Sequence, residues 1–139
     1  MKLEHLIQAY KVNNIEAELK EMNNEKEKAG VITFRNGIAA SYLLDKEDIV
    51  ISMKMFFNCL NNEDFNIKSQ VKYTIKVIEI IQKTIQLLSN VTQKESNMIL
   101  EKLGLFDNTF KDTKQIKHLE HTYRVEVMSG ILCFSINEI

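Results

Sequence analysis

The residues best suited by type and spacing to do chemistry are His118 and His121, three apart, with Glu120 between them and Asp112 upstream. On a helical turn, two such imidazoles can share a metal ion. A zinc site needs further ligands at a defined spacing, however, and here Cys59 and Cys133 are remote and the remaining histidine is His5. The segment therefore reads as a polar connector, with no metal site and no cofactor.

Adjacent carboxylates occur at Glu47 and Asp48 and at Glu63 and Asp64, both inside turn-like polar breaks. Acid and base catalysis requires a carboxyl whose surroundings raise its pKa, and a solvated turn does not supply that. No serine sits in the glycine elbow of a hydrolase. The four glycines, Gly30, Gly37, Gly104 and Gly130, all fit caps or turns, which leaves no loop to cradle a phosphate. No catalytic residue is nominated, and the chain is expected not to be an enzyme.

Charge is most organised along Lys68, Lys72, Lys76 and Lys83, which recur at helical steps. Such a ridge is either a solvated helix face or a docking surface for an acidic protein. Phosphate recognition would more naturally use arginine, and the chain has only Arg35 and Arg124. A formal net charge of −1 gives no bulk attraction for nucleic acid. Cys59 and Cys133 lie in apolar runs and read as buried thiols rather than a disulfide framework. The amino-terminal residues lack the apolar core of a signal peptide, and no stretch approaches the roughly 20 apolar residues of a membrane span. A cytoplasmic protein without a membrane partner is the expectation.

These residues must be carried by a scaffold, and its strongest element is Phe65 to Asn90. One apolar stripe there runs Val71, Ile75, Ile78, Ile81 or Gln82, Ile85 and Leu88, and a second runs Tyr73, Val77, Ile80, Thr84 and Leu87. Two stripes make a helix that buries a wide face, with the lysine ridge left outside. Residues 3 to 28 also read as helical, kinked or divided at Asn13-Asn14 and stopped by a cap at Gly30. Asn36-Gly37 suggests a two-residue hairpin turn that would set Phe34 opposite Ala39 and Ile32 opposite Ser41. The segment 49–57 satisfies both a helical and a strand period, and its β-branched start favours a strand facing inward at Ile49, Ile51, Met53, Met55 and Phe57. Thr92-Gln93-Lys94-Glu95 has the form of a capping box for a second helix ending at Gly104. Residues 107–121 read as loop with one helical turn.

The carboxy-terminal stretch is the clearest strand pair. A turn at Ser129-Gly130 sets Val127 opposite Leu132, Val125 opposite Phe134 and Tyr123 opposite Ile136 on a core face. Arg124, Glu126, Met128, Ile131, Cys133 and Ser135 then share the other face.

The expected fold is a single α+β domain of two layers, a mostly antiparallel sheet of about five strands packed on a long central helix, in the order α-βββ-αα-ββ. At 139 residues such a chain buries roughly two thirds of its unfolded surface without staples. This order resembles the layout of secretion chaperones, a helix, three strands, a helix and two further strands, although the two have no motif in common. With every special residue assigned a structural role, the expected function is a noncatalytic interaction module of the adaptor, immunity-protein or secretion-chaperone kind, working as a homodimer. Its candidate contacts are the lysine ridge together with Met128 and Ile131. A small-molecule-binding α+β domain is the alternative.

Overall fold

The computed structural model describes residues 1–20, 28–58, 67–105, 113–128 and 130–138. Three helices, α1 (Leu3–Val12), α2 (Ile67–Ser89) and α3 (Gln93–Lys102), accompany seven strands. The strands are β1 (Ala17–Lys20), β2 (Ala29–Phe34), β3 (Ala39–Leu44), β4 (Val50–Asn58), β5 (Lys114–His118), β6 (His121–Met128) and β7 (Ile131–Glu138). All pairings are antiparallel, and the sheet order is β1-β2-β3-β4-β7-β6-β5. The α+β class and the antiparallel sheet stand as expected. The strand count of about five and the order α-βββ-αα-ββ do not, because β1 and β5 were read as helix and loop. With seven strands, the resemblance to the secretion-chaperone layout also lapses.

The terminal hairpin pairs as the alternation requires, with Val127 opposite Leu132, Val125 opposite Phe134 and Tyr123 opposite Ile136. The register holds because a one-residue slip would turn the whole apolar set outward. The first hairpin differs by such a step. Ile32 faces Ala40 and Thr33 faces Ala39, since Arg35–Gly37 form a three-residue 3-10 turn closed by the Phe34 N–H donating to the Ile38 carbonyl (2.8 Å). Gly37, at φ +74°, takes the left-handed position that such loops require. The longer loop brings Ile38 and Ala40 into the core beside Ile32 and Phe34.

The segment expected over 49–57 is a strand, β4, beginning at Val50 rather than Ile49, and Met53, Met55 and Phe57 point inward as read. A bulge between Leu43 and Leu44 shifts the phase earlier in β4, so that Val50 is buried while Ile51 is half-buried. Gly30 is not a helix cap. It lies in β2 opposite Tyr42, whose hydroxyl would stand 2.3 Å from any Cβ placed there, so the ring lies over bare backbone.

The core occupies one face of the sheet. Leu6 and Tyr10 of α1, Val77, Ile80, Ile81 and Ile85 of α2, and Ile99, Leu100 and Leu103 of α3 form a single buried cluster with the inward rows of the strands. Helix α1 stops where Asn14 turns left-handed (φ +60°) and the Ile15 N–H reaches back to the Tyr10 carbonyl. The chain then enters β1, an edge strand that exists through its pairing with β2. At α3, Thr92 accepts from the Glu95 N–H at 3.2 Å, and Gly104 (φ +75°) ends the helix with Leu105 buried, both as the sequence predicts. On α2 the second stripe is inward, but Ile75 of the first is 55% exposed, because it lies on the solvent side of the helix with Glu79.

Candidate interaction surface

Strand geometry sends alternate side chains to opposite faces. Because all three helices contribute to the core on one face, the opposite face carries no second layer among the described residues. One row across it runs Glu18, Thr33, Ala39, Phe56, Cys133 and Glu126, from β1 to β6. The next row runs Lys20, Val31, Ser41, Lys54, Ser135, Arg124 and Gln115, from β1 to β5. At the margins lie Leu43 on β3 and Ile131 on β7. Phe56, Ile131 and Leu43 are 40%, 43% and 50% exposed. The middle of the face is shallow, since Ala39, Ser41, Thr33 and Ser135 have short side chains. Lys54 extends its ammonium over the Phe56 ring at 5.8 Å, and Arg124 pairs with Glu126 at 3.1 Å. Cys133, a free thiol, is buried beneath these neighbours, which raises its pKa. Cys59 lies outside the described residues.

The six residues nominated from the sequence divide between two surfaces. Lys72 is exposed on α2, Lys76 pairs with Glu79 at 3.6 Å, and Lys83 is half-buried with its ammonium 3.3 Å from Gln86 Oε1. Lys68 belongs to the same helix, although its side chain lies outside the described set. Helix α3 lines the adjoining flank, where Gln82 bonds Asn97 and Gln86 donates to Ser96 Oγ (3.2 Å). The ridge is thus less basic than its lysines alone suggest. Ile131, paired with Met128 across the β6–β7 turn, lies on the far side of the sheet. The structure therefore does not join the ridge to the hairpin face, and Phe56, absent from the nominated set, lies one register step diagonally from Ile131 across β4 and β7. Its outward direction was implied by placing Met55 and Phe57 inward.

The histidines are also better ordered than a connector would make them. They oppose each other where β5 meets β6, and Leu119 (φ +55°) and Glu120 make the turn. His118 Nε2 lies 3.1 Å from Glu95 Oε2, which ties β5 to the start of α3. That bond, aided by Thr92, holds the Glu95 carboxyl below the usual carboxylate range, while desolvation lowers the pKa of His121 against the pull of Glu138 and Glu120. Beside them the Tyr123 hydroxyl bonds Ser89, and burial raises its pKa. Among the described residues no three potential ligands are grouped to hold a metal. The chemistry available here is a structural tether.

The tether has a pH signature. A carboxyl whose folded pKa is depressed contributes stability above its ordinary pKa and loses it as the pH falls through the lowered value. His118→Gln is expected to lower the melting temperature modestly at neutral pH, with the gap from wild type closing as the pH falls through and below the ordinary carboxylate range. Melting curves across that range check this, and a gap that widens in acid would contradict it.

Asp45 shows the same economy in its turn. Its carboxylate accepts from the Glu47 and Ile49 N–H groups (2.8 and 3.0 Å), chiefly the latter lowering its pKa, while Asp48 meets Lys28 at 3.1 Å. Glu63 and Asp64 lie outside the described residues. An open cavity of about 260 Å³, lined by Asn14, Ile15, Glu16, Phe34, Arg35, Lys76 and Ile80, lies at the start of β1. It falls below the roughly 300–1,000 Å³ of ordinary ligand sites, and its Arg35 is already paired with Glu16.

No helix among the described residues is long and apolar enough to cross a membrane. Comparison of the chain with protein-family models, with curated proteins and with solved structures gave no match.

Proposed function

We propose that this protein is a noncatalytic interaction module that self-associates through the outer face of its sheet, in the manner of an adaptor, immunity protein or dimeric chaperone. The carrying observation is that, among the described residues, helices cover the seven-stranded sheet on one face only, while the other exposes Phe56, Ile131 and Leu43 around a shallow centre. Antiparallel sheets can leave one face in water, and then that face is usually polar. Here it presents large apolar side chains that a partner would cover. The lysines of α2 offer a second, weaker contact for an acidic protein, since Lys76 and Lys83 are already engaged.

Phe56→Glu and Ile131→Glu, each made singly, are expected to shift the native mass from dimer to monomer. Circular dichroism and the melting temperature should stay near wild type, because both side chains are partly solvated and surface changes usually alter stability by about 0.5 kcal/mol or less. Light scattering reads the outcome. Dimers unaffected by both substitutions would move the contact off this face.

A further inference from the structure

The charges on the open face are arranged to fit a second copy of the same chain. In the row through Phe56 the charged positions are acidic, Glu18 on β1 and Glu126 on β6. In the next row the same two strands carry Lys20 and Arg124, and β4 carries Lys54 beside Phe56. A two-fold axis lying across the strands, midway between the rows, sets every residue of one row against the other-row residue of the same strand in the second copy. We infer that two copies pack outer face to outer face about this axis, so that the Arg124–Glu126 pair of one copy lies against the reversed pair of the other, Glu126 facing the second copy's Arg124, and the Lys54–Phe56 stack lies likewise against its reversed counterpart. Glu18 and Lys20 repeat the match at the β1 edge. This rests on the reading of the outer face as the functional surface and specifies its occupant and geometry.

The fit has further support. Isologous contacts bring one patch against itself, so a patch survives only if its own rotation is complementary. An axis along the central strand β4 would instead set each row against itself, with Glu126 opposite the second copy's Thr33 and no opposite charge to meet. Stacked sheets align within about 30°, which keeps the middle strands β3, β4 and β7 closest to register. Seven strands at about 4.8 Å make a face about 29 Å wide, adequate for the roughly 800 Å² per partner of a standard interface. Short residues at Ala39, Ser41 and Ser135 permit close approach.

The test exploits the two-fold. Arg124→Glu places four carboxylates together in a homodimer, and Glu126→Arg places four guanidinium groups together. Each alone is expected to weaken dimerisation on the order of tenfold or more. An equimolar mixture restores both opposite-charge contacts and should form a heterodimer within about threefold of wild-type affinity, read by sedimentation and by native mass spectrometry. Homodimers that persist in either variant, or a mixture that stays monomeric, would overturn this arrangement. If those results came with dimers still lost on Phe56→Glu, the face would remain the interface with another orientation. A wild-type chain that never dimerises would overturn both.

Discussion

Phe134→Ala is expected to lower the melting temperature by roughly 10–20 °C. Phe134 is fully buried in β7, flanked through the register by Met55 of β4 and Val125 of β6, at the middle of the only inward face. Removing a ring from such a position costs about 3–5 kcal/mol, because the lost transfer energy is joined by the cavity left between strands that cannot collapse. For a chain of this length, 1 kcal/mol corresponds to about 3–5 °C. Folded domains hold only about 5–15 kcal/mol in total. The variant therefore removes a large share of the margin. Thermal melting by circular dichroism checks it, and a fall of under about 3 °C would mean that the helices do not cover this face.

Thr84→Val has the second largest effect expected, through an unsatisfied group rather than a void. Thr84 lies fully buried toward the C-terminal end of α2, donates to the Ile80 carbonyl at 2.7 Å, and accepts from the hydroxyl of Tyr10. Tyr10 is also fully buried, packs edge-on against Phe34 with ring centroids 5.3 Å apart, and among the described residues has only the Met53 sulfur, 3.8 Å away, as a further acceptor. Valine keeps the shape and leaves the phenol without an oxygen partner. Such an orphan costs about 1–3 kcal/mol. Adding Tyr10→Phe removes the orphan, so the double variant should be more stable than Thr84→Val alone, a coupling readable in urea titrations. Additive losses would show that the two hydroxyls do not share a bond.

The same pair shows what could be read beforehand and what could not. Tyr10 and Thr84 both fall on apolar stripes visible in the sequence, yet their meeting depends on how α1 crosses α2. The terminal hairpin was legible down to its register, because alternation and a Ser-Gly turn point the same way. The first hairpin slipped by one residue because Asn36-Gly37 fits a two-residue loop on composition, whereas burial of Ile38 favours three. Strand β1 was hidden by the helix-forming residues of Ala-Glu-Leu-Lys, and only β2 beside it makes that segment extended. In β5, one apolar residue, Ile116, was too little pattern to mark a strand.

The candidate surface divides in the same way. Which residues of the terminal hairpin share an outer face was plain from their spacing. That the face is left uncovered follows from where the helices pack, which no local pattern records. The lysine ridge lies on α2 as its spacing indicates, and what the lysines alone did not show is that Glu79 and Gln86 on the same face engage two of its members. The histidines were undervalued, since the Glu95 that fixes His118 lies 23 residues away.

The central claim is that the open sheet face makes this chain a self-associating module, and the native mass of the wild-type protein tests it most directly. Light scattering coupled to size exclusion, run over a wide concentration range, is predicted to give twice the 16.2 kDa chain mass, falling toward one chain only on dilution. A mass of one chain at every concentration would contradict the account.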